Sequence, residues 1–227
     1  MRSLIDVAAG ALRAGAPVFT RRNLFHAIRR ARGAAMTEAG FDAALRRRLS
    51  RGALPGLLPA RRRPRPLARG WDACFPEAVL LVDRPVIRDL LAASRVIAPA
   101  CLTVVCIDGT PSTVVAWLQR GFRAGQRAPV LYLHDAATVV YPFTLEPLVT
   151  RVAHRGSEPV GYADLGLPPL GATARRFDDP TLPGDEPIFE LEAIPPRTLL
   201  RYCTRAATRL VSATRTDSPR TVAPAAR

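Results

Sequence analysis

The chain has 227 residues, with 33 arginines, no lysine and 19 acids, for a formal net charge of +14. That length suffices for one large domain or two small ones, and no apolar run approaches the roughly 20 residues needed to cross a bilayer. Asp6 interrupts the opening MRSLIDVAAGALRAG, so no signal peptide is expected. Cys74, Cys101, Cys106 and Cys203 form no CxxC pair. This excludes the usual zinc spacings and favours reduced, packed thiols in a cytoplasmic protein.

The charge is unevenly placed. Residues 1–69 carry 16 Arg against 3 acids, residues 70–199 carry 11 against 15, and residues 200–227 carry 6 against 1. A coding bias would explain arginine in place of lysine, but not its concentration in the first third. A basic N-terminal module facing a polyanion, joined to a slightly acidic module, is the expected arrangement.

The first 50 residues read as three helices. Leu4, Ile5, Ala8, Ala9 and Leu12 recur at helical spacing until Gly15-Ala16-Pro17. Thr20 stands where an N-cap belongs, before Leu24, Phe25 and Ile28, and Thr37 does the same before Phe41, Leu45 and Leu49. Helix, turn, helix, short loop, helix is the order of a winged-helix module. In such a module Arg21, Arg22, Arg46, Arg47, Arg48 and Arg51 would contact phosphates, which supplies affinity but little sequence preference. Residues 52–70, rich in Pro, Gly and Arg, would hold a wing and a linker, so the first module is set at 1–69.

The second module, 70–213, contains three apolar runs that each end on an aspartate: EAVLLVD at Asp83, LTVVCID at Asp108 and PVLYLHD at Asp135. Such runs alternating with helical segments, expected over 86–94, 112–124 and 143–153, read as βα units around a parallel sheet. A further strand is expected near 159–162, loops to residue 187, and a last helix from Pro196. Residues 214–227 have the composition of a disordered tail. Ligands of open α/β sheets bind beyond the carboxyl ends of the strands, so the three aspartates are either a metal site or what remains of one. His134 should point to the opposite face from Asp135 by strand alternation, as a packed or hydrogen-bonded residue. His26, on a mostly apolar helix face, reads the same way.

The order of these parts resembles the A subunit of topoisomerase VI and its meiotic double-strand-break relatives: a helical DNA-binding module, then a Toprim-type α/β domain. Thr20-Arg21-Arg22-Asn23-Leu24-Phe25-His26 is similar to the family's segment bearing the nucleophilic tyrosine, with Asn23 in place of an acid and His26 in place of the tyrosine. Asp83 falls at the family's metal-binding glutamate. Asp135 falls at the first acid of its Asp-x-Asp pair, and Ala137 replaces the second. Gly109-Thr110-Pro111 and Glu190-Leu191-Glu192-Ala193 resemble two further family segments. The resemblance implies a fold kept while its chemistry decays. No catalytic residue is expected, and histidine cannot form the phosphotyrosyl linkage.

The function expected first is double-stranded DNA binding within a larger assembly, as a homodimer or with a partner subunit. A magnesium-dependent nuclease using Asp83, Asp108 and Asp135 is the alternative. A protein-interaction subunit, its arginines serving an acidic partner, is the third.

Overall fold

Ser3 caps the first helix, α1 (Leu4–Gly15), its Oγ accepting the Asp6 N–H at 3.2 Å. The helix closes where the Ala16 N–H donates to Leu12 O at 2.9 Å. Thr20 and Asn23 cap α2 (Arg21–Arg32) reciprocally: the Asn23 N–H donates to Thr20 Oγ1 at 3.0 Å, and the Thr20 N–H to Asn23 Oδ1 at 2.9 Å. This is the logic of a capping box with asparagine in the returning position. Thr37 Oγ1 accepts the Gly40 N–H at 3.1 Å at the start of α3 (Glu38–Leu49). The three helices enclose Ile5, Leu24, Ile28, Phe41 and Leu45.

The computed structural model describes residues 3–32, 36–59, 77–94, 102–107, 111–123, 128–136, 162–167 and 188–216. The expected linker over 60–70, the helix over 143–153 and the last eleven residues of the tail lie outside them.

After α3 the chain returns to α1 and α2. Phe19 and Leu57 form a parallel bridge, with the Phe19 N–H donating to Gly56 O and the Leu58 N–H to Phe19 O, both at 2.9 Å. Gly56 has φ +83°, and a Cβ there would approach the Phe19 ring at 3.1 Å. Both the backbone conformation and the space call for glycine. The order of helix, bridge, helix, helix, bridge establishes an N-terminal helical region.

Among the described residues, four strands form one parallel sheet in the order β2-β1-β3-β4: β1 (Ala78–Val82), β2 (Leu102–Cys106), β3 (Val130–Leu133) and β4 (Tyr162–Asp164). Every residue of β1 is buried, as a central parallel strand covered on both faces requires. Ala78, Leu80 and Val82 face α4 (Pro85–Ala93) and α6 (Pro196–Thr216). Val79 and Leu81 face α5 (Pro111–Arg123) through Trp117 and Leu118. The result is an α/β architecture with helices on both faces.

Four elements are bounded differently from the sequence expectation. The helices α4 and α5 each begin one residue earlier, on a proline whose fixed φ and missing N–H suit a first turn. The strand expected at 159–162 is observed as Tyr162–Asp164, paired with Val130–Tyr132. Helix α6 runs to Thr216, into the segment expected to be disordered from 214. Its apolar stripe of Leu199, Cys203, Leu210 and Val211 continues late enough to carry the helix past that point. No helix among the described residues is long and apolar enough to cross a membrane.

Candidate functional site

The strand order reverses between β1 and β3, and the residues leaving those two strands meet at their carboxyl ends. Asp83 Oδ2 accepts the Asp135 N–H at 2.9 Å. Asp135 Oδ1 accepts the Leu191 N–H at 2.7 Å, and Oδ2 accepts from Arg84 Nη1 at 3.0 Å. The same Nη1 lies 3.1 Å from Glu192 Oε2, a carboxylate only 2% exposed. The other Glu192 oxygen accepts the Thr20 hydroxyl. One guanidinium therefore serves two carboxylates from different ends of the chain. Burial works against the Arg84 charge, but Glu192 and Asp135 outweigh it and raise its pKa. Burial pushes the Asp135 carboxyl above its ordinary value, with Asp83 adding to the effect and Leu191 N–H and Arg84 opposing it.

The N-terminal region closes this crevice. Residues Leu191–Ala193 form a short 3-10 turn, and four side chains on one face of α2 grip it and its flanks. Asn23 Nδ2 donates to Glu192 O at 2.8 Å and to Ile194 O at 3.4 Å. Arg30 Nη1 donates to Ala193 O at 2.7 Å. Arg22 grips Glu190 with two donors, Nε reaching Oε2 at 3.0 Å and Nη2 reaching Oε1. His26 Nε2 stands 3.3 Å from Glu190 Oε2 and its ring meets Phe25 edge-on.

His26 and Arg22 overcome the opposing effect of burial and hold the Glu190 carboxyl down to about 2. A depressed folded value means stability that is complete above the unfolded value near 4.5 and is lost as pH falls toward about 2. Thermal melts of the wild type and Glu190→Gln should therefore differ at neutral pH and converge across that acid window. A difference that persists at the acid end would remove Glu190 from the tie.

The described residues do not fit a magnesium site of the kind the resemblance implies. Both Asp135 oxygens are engaged, one by a backbone amide and one by Arg84, whose charge stands where a cation would have to sit. No three His, Cys, Asp or Glu side chains converge to hold a metal among the described residues. Of the expected trio, Asp83 and Asp135 are brought together, while Asp108, like Gly109, Thr110 and Ala137 of the motifs, lies outside the described residues.

The arginines expected to contact phosphates divide into two groups. Arg21 is paired with Asp42 and Glu38, Arg22 with Glu190 and Glu38, and Arg48 with Asp6. These three are engaged by carboxylates in the fold, and arginine spacing along a helix carries no information about which carboxylate folds against it. Arg46, Arg47 and Arg51 are exposed and have no ion pair among the described residues.

His134 is buried on the Tyr132 side of β3, its ring centroid 4.9 Å from that of Tyr132, the side opposite Asp135 by strand alternation. Its Nε2 lies 3.1 Å from Asp164 Oδ1 and its Nδ1 2.8 Å from Asp135 O. Burial disfavours the charged ring, but two acceptors, one a carboxylate, leave its pKa raised. Gly166 lies against this ring, and a Cβ there would fall 2.0 Å from His134 Cδ2. The ring is held on both nitrogens and cannot swing aside without losing a bond. Gly166→Ala is therefore expected to cost about 1–3 kcal/mol in denaturant unfolding, the usual range for overpacking. A neutral result would show that the ring has room to move. Burial pushes the Cys203 thiol up to about 12, so it packs as an inert thiol.

Sequence reasoning passed over Arg84, Glu192, Asn23 and Thr20 as site-forming residues. An arginine directly after a strand-ending aspartate was the one local signal. The Thr20–Glu192 contact spans 172 residues and had none. No family model, curated protein or solved structure matches the chain.

Proposed function

We propose that this protein binds double-stranded DNA through its backbone phosphates, as a catalytically degenerate, topoisomerase VI A-like protein acting within a larger assembly. Arg46, Arg47 and Arg51 carry this reading: they project from the end of α3 without a carboxylate partner among the described residues, in the segment holding most of the positive charge. Unpaired guanidinium groups at one helix end can reach successive phosphates without reading bases. The engagement of Asp83, Asp135 and Glu192 by amides, Thr20 and Arg84 supports a binding rather than a cleaving role.

Titration of a labelled duplex should show binding by the wild type and a large loss when Arg46, Arg47 and Arg51 are replaced together by glutamine. Arg21→Gln should instead lower the melting temperature, because it breaks the contacts with Asp42 and Glu38. Magnesium-dependent cleavage of the duplex, abolished by Asp135→Ala, would overturn the non-catalytic reading.

A further inference from the structure

An apolar groove of about 250 Å³ lies between the start of α1 and the end of α3. Leu4, Ile5, Ile28, Phe41 and Ala44 form its floor, Met36 closes one end, and Arg47, Arg48 and Arg51 stand along one rim. Its geometry is tied down. Arg48 Nε donates to Asp6 Oδ1 at 2.5 Å and Nη1 to Gly52 O at 3.1 Å, while Ser3 Oγ donates to Asp6 Oδ2 at 2.6 Å. The Arg48–Asp6 pair thus fastens α3 to α1. Arg47, in the last turn of α3, and Arg51, in the turn just past its C-cap Ser50, both remain exposed.

We infer that this groove docks an acidic amphipathic helix of a partner protein. The volume falls below the roughly 300–1,000 Å³ of small-molecule pockets and suits a single aliphatic anchor from such a helix. The cationic rim selects a helix whose apolar face is bordered by glutamate or aspartate, and it rejects a lysine-bordered one. The site goes beyond the DNA reading. Both use Arg47 and Arg51, but phosphate contact has no use for the floor.

The probe is a synthetic amphipathic helix with leucines on one face and flanking glutamates, labelled for fluorescence anisotropy against the full chain. Ala44→Phe fills the floor without altering charge, and Arg47→Glu with Arg51→Glu reverses the rim. Each change should weaken the peptide at least about tenfold, a loss of about 1.4 kcal/mol, and the lysine-flanked peptide should not bind. Ala44→Phe should leave duplex affinity unchanged, which separates failure of this inference from failure of the DNA reading. If Ala44→Phe lowers the melting temperature sharply, the solvent-facing rim reversal and the lysine peptide still decide. Peptide binding indifferent to the rim, equal binding of the lysine peptide, or duplex affinity that falls with Ala44→Phe as far as peptide affinity does would each overturn it.

Discussion

Replacing Arg84 with methionine is expected to destabilise the protein by about 2–4 kcal/mol, the cost of leaving a buried carboxylate uncompensated, discounted because the guanidinium is itself 36% exposed. Arg84 is the cation for both Asp135 and Glu192, which are 8% and 2% exposed. Methionine keeps much of the volume of the arginine stem, so packing alone would change little. What remains is a nearly inaccessible carboxylate at Glu192 with only the Thr20 hydroxyl as donor on one oxygen. Glu192→Gln removes that charge, so the double variant Arg84→Met with Glu192→Gln should recover much of the loss. Denaturant unfolding of the two single variants and the double gives the coupling directly. Additive losses would mean that Arg84 and Glu192 do not act as a pair.

Asn23→Asp should be comparably severe, at about 3–5 kcal/mol at neutral pH, because it buries a charge without a cation. Asn23 is 1% exposed, and its amide nitrogen donates to two carbonyls of the docked turn. A carboxylate would turn an acceptor toward those carbonyls. Asn23→Ala loses the same bonds without adding a charge and should cost less, about 1–3 kcal/mol. The introduced aspartate would have its pKa raised by burial and by neighbouring acids. Its destabilisation should therefore fade as pH falls through that raised value, since a protonated carboxyl can donate to one carbonyl. Equal effects of aspartate and alanine at neutral pH would contradict the account.

Local pattern made much of the fold legible. Thr20 and Thr37 announced their helices because capping is settled within three residues, and the continuous burial of Ala78–Val82 follows from a strand covered on both faces. The reversal of strand order that places Asp83 beside Asp135 depends on pairing between distant segments, and no local period encodes it. The site was half legible for the same reason. Acids at strand ends could be read as a cluster, but nothing near Asp83 or Asp135 in the chain indicated that the turn at Leu191–Ala193 would seal them. Nor did anything mark Arg22 as engaged by Glu190 and Arg46 as free of a carboxylate among the described residues. Both are arginines on short basic helices, and only the tertiary fold distinguishes them.

The central claim, phosphate binding by the three exposed arginines at and just past the end of α3, is tested most directly by the salt dependence of duplex binding. The logarithm of the association constant should fall linearly with the logarithm of salt concentration, at about 0.9 per phosphate neutralised. Replacing Arg46, Arg47 and Arg51 with glutamine should flatten that slope by about 2.7 while the melting temperature holds. A wild-type slope near zero, or one unchanged by the triple replacement, would contradict the account.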